Sequence, residues 1–356
     1  MRIQELSQDI RAKSLKKIKE KTPQELSTTW SHEDLTYSGA GQTIFMILPT
    51  TGCAWALAES GGCTMCSYIS ESSLEPIPDS SLIEIFNDLI GRYEITEPTA
   101  VKIFTSGSFL NKMEFPLEAR TRILETLNEL KNVTEVIVES RPEYVTKKDV
   151  LDCCSLIPNK IFEISMGLET SSDYSREFKI NKGFTQKDFE NAVNIIKGLK
   201  KDYQIKSKTY ILIKPILTSE KDAIDDAVKT AIYAEDKGVD RVSFCPSTIH
   251  KGTVMEELWR KGAYQPPRIW SVLEVINRVR ESVKIPSIMD TSGFGSRRGP
   301  YNCKNCNDKL KKIIMKSNLD QSTIKDFKCD CNVEWEAETK FGDINRSPSR
   351  IQYTKK

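Results

Sequence analysis

Short apolar runs recur along the chain, and each is followed by a segment in which apolar residues return every three or four positions. The runs are TIFMILPT (43–50), AVKIFTSG (100–107), EVIVES (135–140), IFEISMG (161–167), TYILIKP (209–215), RVSFCP (241–246) and PSIMD (286–290). Between them lie SSLIEIFNDLIGRYE, LEARTRILETLNELK, TQKDFENAVNIIKGLK, DAIDDAVKTAIYAEDKG and PRIWSVLEVINRVRESV. Consecutive apolar positions read as a strand buried on both faces, and the spaced pattern reads as one face of a helix. Their alternation predicts an α/β fold of parallel strands with crossover helices, most simply a (β/α) barrel, partial or complete, over residues 41–290. An open doubly wound sheet is the structural alternative. Residues 1–40 then form a helical N-terminal extension and residues 291–356 a C-terminal one.

In such a barrel the C-terminal ends of the strands open on one face, where active sites are built. At or just past the ends of the runs stand Cys53, Ser106, Gly107, Glu139, Arg141, Glu169, Lys214, Cys245 and Asp290. Any one of them is the ordinary polarity of a strand end; together they are what a site on that face requires.

Composition narrows the class. With 38% hydrophobic and 29% charged residues the protein is neither disordered nor membrane-like. No run of about eighteen apolar residues occurs, and the start, MRIQELSQDIRAKSLKKIKEK, lacks the apolar core of a signal peptide, so a cytoplasmic protein without membrane contact is expected. In a reducing compartment clustered cysteines are read as metal ligands. Seven of the ten cysteines fall into two clusters.

The first cluster, GCAWALAESGGCTMC, holds Cys53, Cys63 and Cys66. Three thiols with neither His32 nor His250 close in sequence do not complete a structural zinc site. A four-iron cluster held by three thiolates keeps one iron open for a small molecule. Buried or zinc-binding cysteines are the bland alternative. In the second cluster CKNC and CDC supply Cys303, Cys306, Cys329 and Cys331, which satisfy a closed tetrahedral zinc site, although the single spacer in CDC leaves an auxiliary iron–sulfur cluster open. Around it the charge is lopsided: Arg297, Arg298, Lys304, Lys309, Lys311, Lys312 and Lys316 face Asp308 alone within residues 291–316. That is either a solvated face or an RNA contact, with Tyr301 and Trp335 as stacking surfaces or core residues. Cys153 and Cys154 read as small buried hydrophobes, Cys245 as packing or barrel mouth, and His250 as a site or surface residue.

CTMC (63–66) resembles the second half of the radical S-adenosylmethionine (radical SAM) motif, with Met65 at its hydrophobic position. The family's first spacing is three residues, whereas Cys53 and Cys63 enclose nine, as in lengthened loops of Elongator-like members acting on tRNA. ESRPEYV (139–145), GLETSSDYSREFKINKGFT (167–185) and LIKPILTSE (212–220) resemble strand-end motifs of that group. TVMEELWRKGAYQPPRIWS (253–271) and GFGSRRGPYNC (293–303) resemble one archaeal branch, the radical SAM subunits of archaeosine synthase.

The resemblance implies a [4Fe-4S] cluster on Cys53, Cys63 and Cys66 and an S-adenosylmethionine amino group held by Thr105, Ser106, Gly107 and Ser108. It also implies cleavage of the carbon–nitrogen bond in the lysyl group of a lysine-modified 7-cyano-7-deazaguanine in the tRNA D-loop, leaving the formamidine of archaeosine. The partners implied are that tRNA, a lysine-transferring subunit and an electron donor. A zwitterionic lysine end calls for acidic and basic groups; Glu139, Arg141, Glu169 and Lys214 are the candidates. Two other readings compete. One is an Elongator-like enzyme acting on another tRNA base, which the roughly 65 residues after the last strand make too short for the usual acetyltransferase domain. The other is a zinc-binding tRNA accessory protein without iron.

Overall fold

A computed structural model describes residues 2–342; the tail of the C-terminal extension, 343–356, lies outside the described residues. Eight strands form one sheet in sequential order: β1 (Thr28–Thr36), β2 (Gly39–Leu48), β3 (Thr99–Thr105), β4 (Val133–Glu139), β5 (Ile161–Glu169), β6 (Ile205–Ile213), β7 (Arg241–Pro246) and β8 (Ser287–Met289). β1 pairs antiparallel with β2, and every later pair is parallel. Sequential order with a helix between successive parallel strands is the winding of a (β/α) barrel, so the doubly wound alternative is excluded. β1 and β8 are its two edges, which makes the barrel partial.

Helix Asn307–Asp320 lies in the gap. Its Asn318 side chain donates to the Met289 carbonyl and accepts from the Met289 N–H, each at 2.9 Å, so the free edge of β8 is paired by a side chain. The same helix also packs against β1 and β2.

Each central strand is buried on both faces. The outward side chains Ile44, Met46, Val101, Ile103, Val136, Val138, Ile164 and Ile211 join the helices in the main core. The helices begin where their sequences say: Thr146, Thr185 and Ser219 each accept a hydrogen bond from the third helical N–H. One element has no signature in the sequence pattern. The N-terminal extension is helical at Ile3–Leu15 and Pro23–Leu26, but TTWSHEDLT then forms β1, whose exposed, mixed residues give no buried-strand signal because β1 is an edge.

The inner face is unusually charged towards the amino ends of the strands. Glu163 on β5 is fully buried and takes Arg241 of β7 at 2.5 Å, Lys208 of β6 at 3.0 Å and the Tyr37 hydroxyl at 2.8 Å. Arg241 also donates to the Leu35 carbonyl, and the Tyr37 N–H donates to Glu135 of β4. Burial works against the Glu163 charge, but Arg241 and Lys208 outweigh it and hold the carboxyl well below its ordinary range. One carboxylate serves two cations; burial therefore pulls Lys208 down to about 7 despite Glu163.

Removing that carboxylate leaves Arg241 a buried cation without its counter-ion and favours the neutral form of Lys208, so Glu163→Gln should lower unfolding free energy by about 3–5 kcal/mol in urea titrations. Breaking the exposed pair Lys221–Asp225 by Lys221→Ala should cost at most about 1 kcal/mol. The folded protein releases the Lys208 proton near pH 7, well below the ordinary lysine range where the unfolded protein releases it, so this group alone raises stability as pH climbs from about 7. Lys208→Met should flatten that slope in midpoints measured at pH 7 and pH 9.

Candidate functional site

The three-cysteine segment leaves the end of β2 and crosses the open face of the barrel. Cys53 precedes a single helical turn, Ala54–Leu57, and Cys66 closes a turn by donating its N–H to the Cys63 carbonyl. The stretch between the first two cysteines is clamped from two sides. Arg11, on the N-terminal helix, donates from Nε to the Gly61 carbonyl at 3.0 Å and from Nη2 to the Cys66 carbonyl at 2.7 Å. Asn181 donates to the carbonyls of Ser60 and Gly62 at 2.8 and 2.7 Å, and its own carbonyl accepts from the Trp55 indole. Thr64 pairs with the carbonyls of Lys179 and Ile180, at the end of a π-helical turn, Arg176–Ile180, a form often found at functional sites.

This geometry explains the nine-residue spacer: it carries the backbone out to the N-terminal helix and back. At Gly61, φ is +67°, and a side chain would collide with the backbone of Ser7 and Gln8, so only glycine allows the contact. Neither Arg11 nor Asn181 stands out in the sequence, since their partners are backbone atoms some 50 to 120 positions away.

Glu114 is likewise invisible to sequence reasoning. Its buried carboxylate accepts from the Ala54 N–H at 3.0 Å and from the Ser108 N–H, joining the cysteine segment to the TSGS turn. A side chain at Gly107 would strike that carboxylate. Within the turn Thr105 donates to the Gly107 carbonyl, Ser106 to the Glu71 carbonyl, and the Ser108 hydroxyl accepts from the Arg141 N–H. Thr50 Oγ1 and Ser140 Oγ, buried at the ends of β2 and β4, have no hydrogen-bond partner among the described residues. Such donors at the mouth fit a polar ligand seated there.

The four charged candidates separate into different roles. Glu139 accepts from the Tyr210 hydroxyl across the barrel at 2.6 Å and stays partly accessible. Arg141 donates to Glu143 and to the Lys182 carbonyl, and its guanidinium lies over the rings of Trp55 and Phe184. Burial opposes its charge, but the Glu143 carboxylate, with Cys63 and Cys53 adding to it where they are ionised, raises it above its ordinary range. Glu169 pairs with Lys182 at 2.6 Å, with the Gly167 backbone beneath both; a Cβ on Gly167 would come within 2.6 Å of each. Lys214 is buried against Glu220 at 2.6 Å, so the structure places its ammonium in an internal ion pair. Glu169 and Lys214 both have left-handed backbone, φ +67° and +66°, at the ends of adjacent strands. Non-glycine residues hold that conformation at a cost of about 1–3 kcal/mol, often at functional sites.

Cys245 lies in the mouth, where burial, then Asp290 and Glu169, push its thiol well above the ordinary range. His250 is exposed, and Cys153 and Cys154 are core residues.

The two cysteine clusters differ in dimension. Among the described residues, the only group of three or more candidate ligand side chains gathered within 4.8 Å is Cys303, Cys306, Cys329 and Cys331. Their sulfurs lie 3.4 Å (303–306), 3.6 Å (303–329), 3.7 Å (306–331) and 3.5 Å (329–331) apart. A single ion with tetrahedral bonds of about 2.3 Å needs edges of about 3.8 Å, so these thiols fit one metal ion. The thiols of Cys53, Cys63 and Cys66 do not form such a compact group. Burial, with Cys63 adding to it, pushes Cys66 up to about 12, and Arg11 pulls the other way.

The four-thiol site is braced on the barrel. The Trp270 indole donates to Cys331 Sγ, and Arg268 pairs with Glu334 and Glu338 of helix Asn332–Phe341. Trp335 donates to Ser271 and packs against the core, which is the packing role of the two weighed for it.

No protein-family model matches the sequence. It is 36% identical over 331 residues to the archaeosine synthase subunit beta of Methanosarcina acetivorans, covering 92% of this protein and 94% of the relative. To the archaeosine synthase subunit beta of Thermococcus kodakarensis it is 38% identical over 314 residues, covering 87% and 95%. Among solved structures, the archaeal Methanocaldococcus infernus Elp3 with an N-terminal deletion aligns at 16% identity with a TM-score of 0.48, over 68% of this protein and 58% of that one.

Arg11→Met removes two charge-assisted bonds, each worth about 1.5–3 kcal/mol, so amide hydrogen exchange in residues 60–66 should speed at least tenfold while β4–β6 keep their protection. Cys306→Ser should lower the bound metal by one ion per molecule in elemental analysis and reduce the melting temperature.

Proposed function

The protein belongs to the archaeosine synthase subunit beta family, and on that premise we propose that it is the radical SAM component of a tRNA-modifying enzyme. In this reading it cleaves the lysine side-chain carbon–nitrogen bond of a lysine-modified 7-cyano-7-deazaguanine in the tRNA D-loop and leaves that nitrogen on the base as the formamidine of archaeosine. The observation that carries the chemistry is the three-thiol loop after β2, held in one shape by Arg11 and Asn181 and separate from the compact four-thiol group. Cys53, Cys63 and Cys66 would hold a [4Fe-4S] cluster, and the TSGS turn fixed by Glu114 would receive S-adenosylmethionine. When bound, these cofactors supply a carbon radical able to take a hydrogen atom from an unactivated substrate carbon.

The protein's own residues would bind, orient and shield. The roof formed by the clamped loop would exclude water from the mouth. Glu139 and Glu169 stand where they could face the amino group of the lysine moiety, and Arg141 lies close to the cysteines. Lys214, committed to Glu220, would act as a positioning residue for the end of β6. The four C-terminal thiols would hold zinc as a structural ion, because a closed four-thiolate shell leaves no site for substrate. An electron donor, the lysine-transferring subunit and a cytoplasmic setting belong to the same reading. Among the described residues no helix is long and apolar enough to cross a membrane.

The deciding experiment is anaerobic reconstitution with iron and sulfide, followed by reductant, S-adenosylmethionine and lysine-modified tRNA. Wild type should form 5′-deoxyadenosine and archaeosine; Cys63→Ala should form neither. Glu139→Gln should lower archaeosine formation at least tenfold without loss of bound iron. A wild type that binds zinc alone and takes up no cluster would favour the accessory-protein reading.

A further inference from the structure

Four aromatic rings line the inner face of β1–β3, and none has a part in the site described above. Trp30 lies 5.4 Å from Phe45 and 6.0 Å from Phe104, and His32 lies 4.3 Å from Phe45. Phe45 and Phe104 are 6.3 Å apart. Every one of these contacts is within 14° of parallel. The register settles which face they occupy. Trp30 is paired with Phe45, and Phe45 alternates with Ile44 and Met46, which point outward into the helical core. Lys102, on the same inner face, lies 4.4 Å from the Phe104 ring and 5.3 Å from that of Tyr210 across the barrel. Tyr210 in turn holds Glu139, so the rings run continuously into the barrel mouth.

Ordinary sheet packing would use such rings to cover one another, and Phe45 is indeed buried. Trp30 is not: it is 38% exposed, on the edge strand, and His32 beside it is exposed as well. The platform is thus built from rigid rings and left open at its accessible end. Helix Asn307–Asp320, packed against β1, presents Lys309, Lys312 and Lys316 to solvent at spacings of three and four. Lysines on a helix packed against β1, and near-parallel rings whose outer member on β1 is open, are the two components of single-stranded nucleic acid recognition: cations meet phosphates and rings meet base faces.

We propose that this platform, with Trp30 as its outer ring, stacks the modified deazapurine of the substrate nucleotide after that nucleotide has left its own stack. The inference rests on the reading of the substrate as a modified tRNA base. Taking a nucleotide out of its stack costs a few kcal/mol, which a new aromatic face offsets at about 1–3 kcal/mol per base. The adenine of S-adenosylmethionine is the other planar group that the proposed reaction brings, but a small cofactor has no need of a ring on the exposed edge strand.

The test compares cluster-loaded wild type, Trp30→Ala and Trp30→Phe by fluorescence anisotropy against two probes: lysine-modified tRNA and the same tRNA carrying guanine at that position. Trp30→Ala should weaken binding of the modified tRNA between about fivefold and a hundredfold and remove its preference over the guanine form, with Trp30→Phe restoring most of both. Two outcomes overturn the platform: a lower melting temperature for Trp30→Ala with both affinities unchanged, or a lower affinity for S-adenosylmethionine alone. Failure of the enzymatic reading shows separately, as a wild type that forms no 5′-deoxyadenosine, because the binding assay does not depend on turnover.

Discussion

The structure depends most on one buried carboxylate. Glu163 sits inside the barrel near the amino ends of the strands and binds, at once, Arg241 on β7, Lys208 on β6 and the Tyr37 hydroxyl in the β1–β2 turn. A sheet that does not close by hydrogen bonds between its edges has no ladder to set its curvature, and these contacts tie β5, β6 and β7 to one another and to the β1–β2 turn. Desolvating them is expensive, and the cost is offset only while every partner is in place. The carboxyl ends of β2 to β8, which carry the candidate site, are held by a constraint at the opposite ends.

A second set of constraints belongs to the mouth and is mostly made to backbone atoms. Glu114 binds two N–H groups, and Arg11 and Asn181 together bind the carbonyls of Ser60, Gly61, Gly62 and Cys66. Side chains that bind backbone fix loop shape without restricting which residues the loop carries. That leaves the cysteines free to be ligands. It also gives the N-terminal helix a purpose: it is the outer jaw of the clamp, and its loss would free the spacer.

The C-terminal thiol site is linked to the barrel through Glu220. That carboxylate receives Lys214 from the end of β6, the Arg268 N–H and the Ser271 hydroxyl, while Arg268 and Ser271 bind Glu334, Glu338 and Trp335 of the last described helix. An ion at Cys303, Cys306, Cys329 and Cys331 would therefore brace β6 and the start of helix Asn307–Asp320 together, the same helix that fills the open side of the barrel. That packing sets the helix carrying Lys309, Lys312 and Lys316 against β1, the strand that carries Trp30.

The parallel strands, their crossover helices and both cysteine clusters were legible in the sequence, because burial on two faces, helical spacing and thiol spacing are local patterns. So was the position of Glu139, Glu169 and Lys214 at strand ends. What the side chains there do was not legible: that Lys214 would be spent on Glu220, or that Glu114, Arg11 and Asn181 would hold the loop, depends on partners far along the sequence. β1 was hidden for a related reason, since an edge strand with one solvent-facing side carries no continuous apolar run. Local patterns along the chain were enough to set which strands and crossover helices form and which residues can ligate a metal. The partial closure of the barrel, the gathering of the four C-terminal thiols and the shared face of Trp30 and Phe104 arose in the folded packing, because each is a distance between segments that no local spacing encodes.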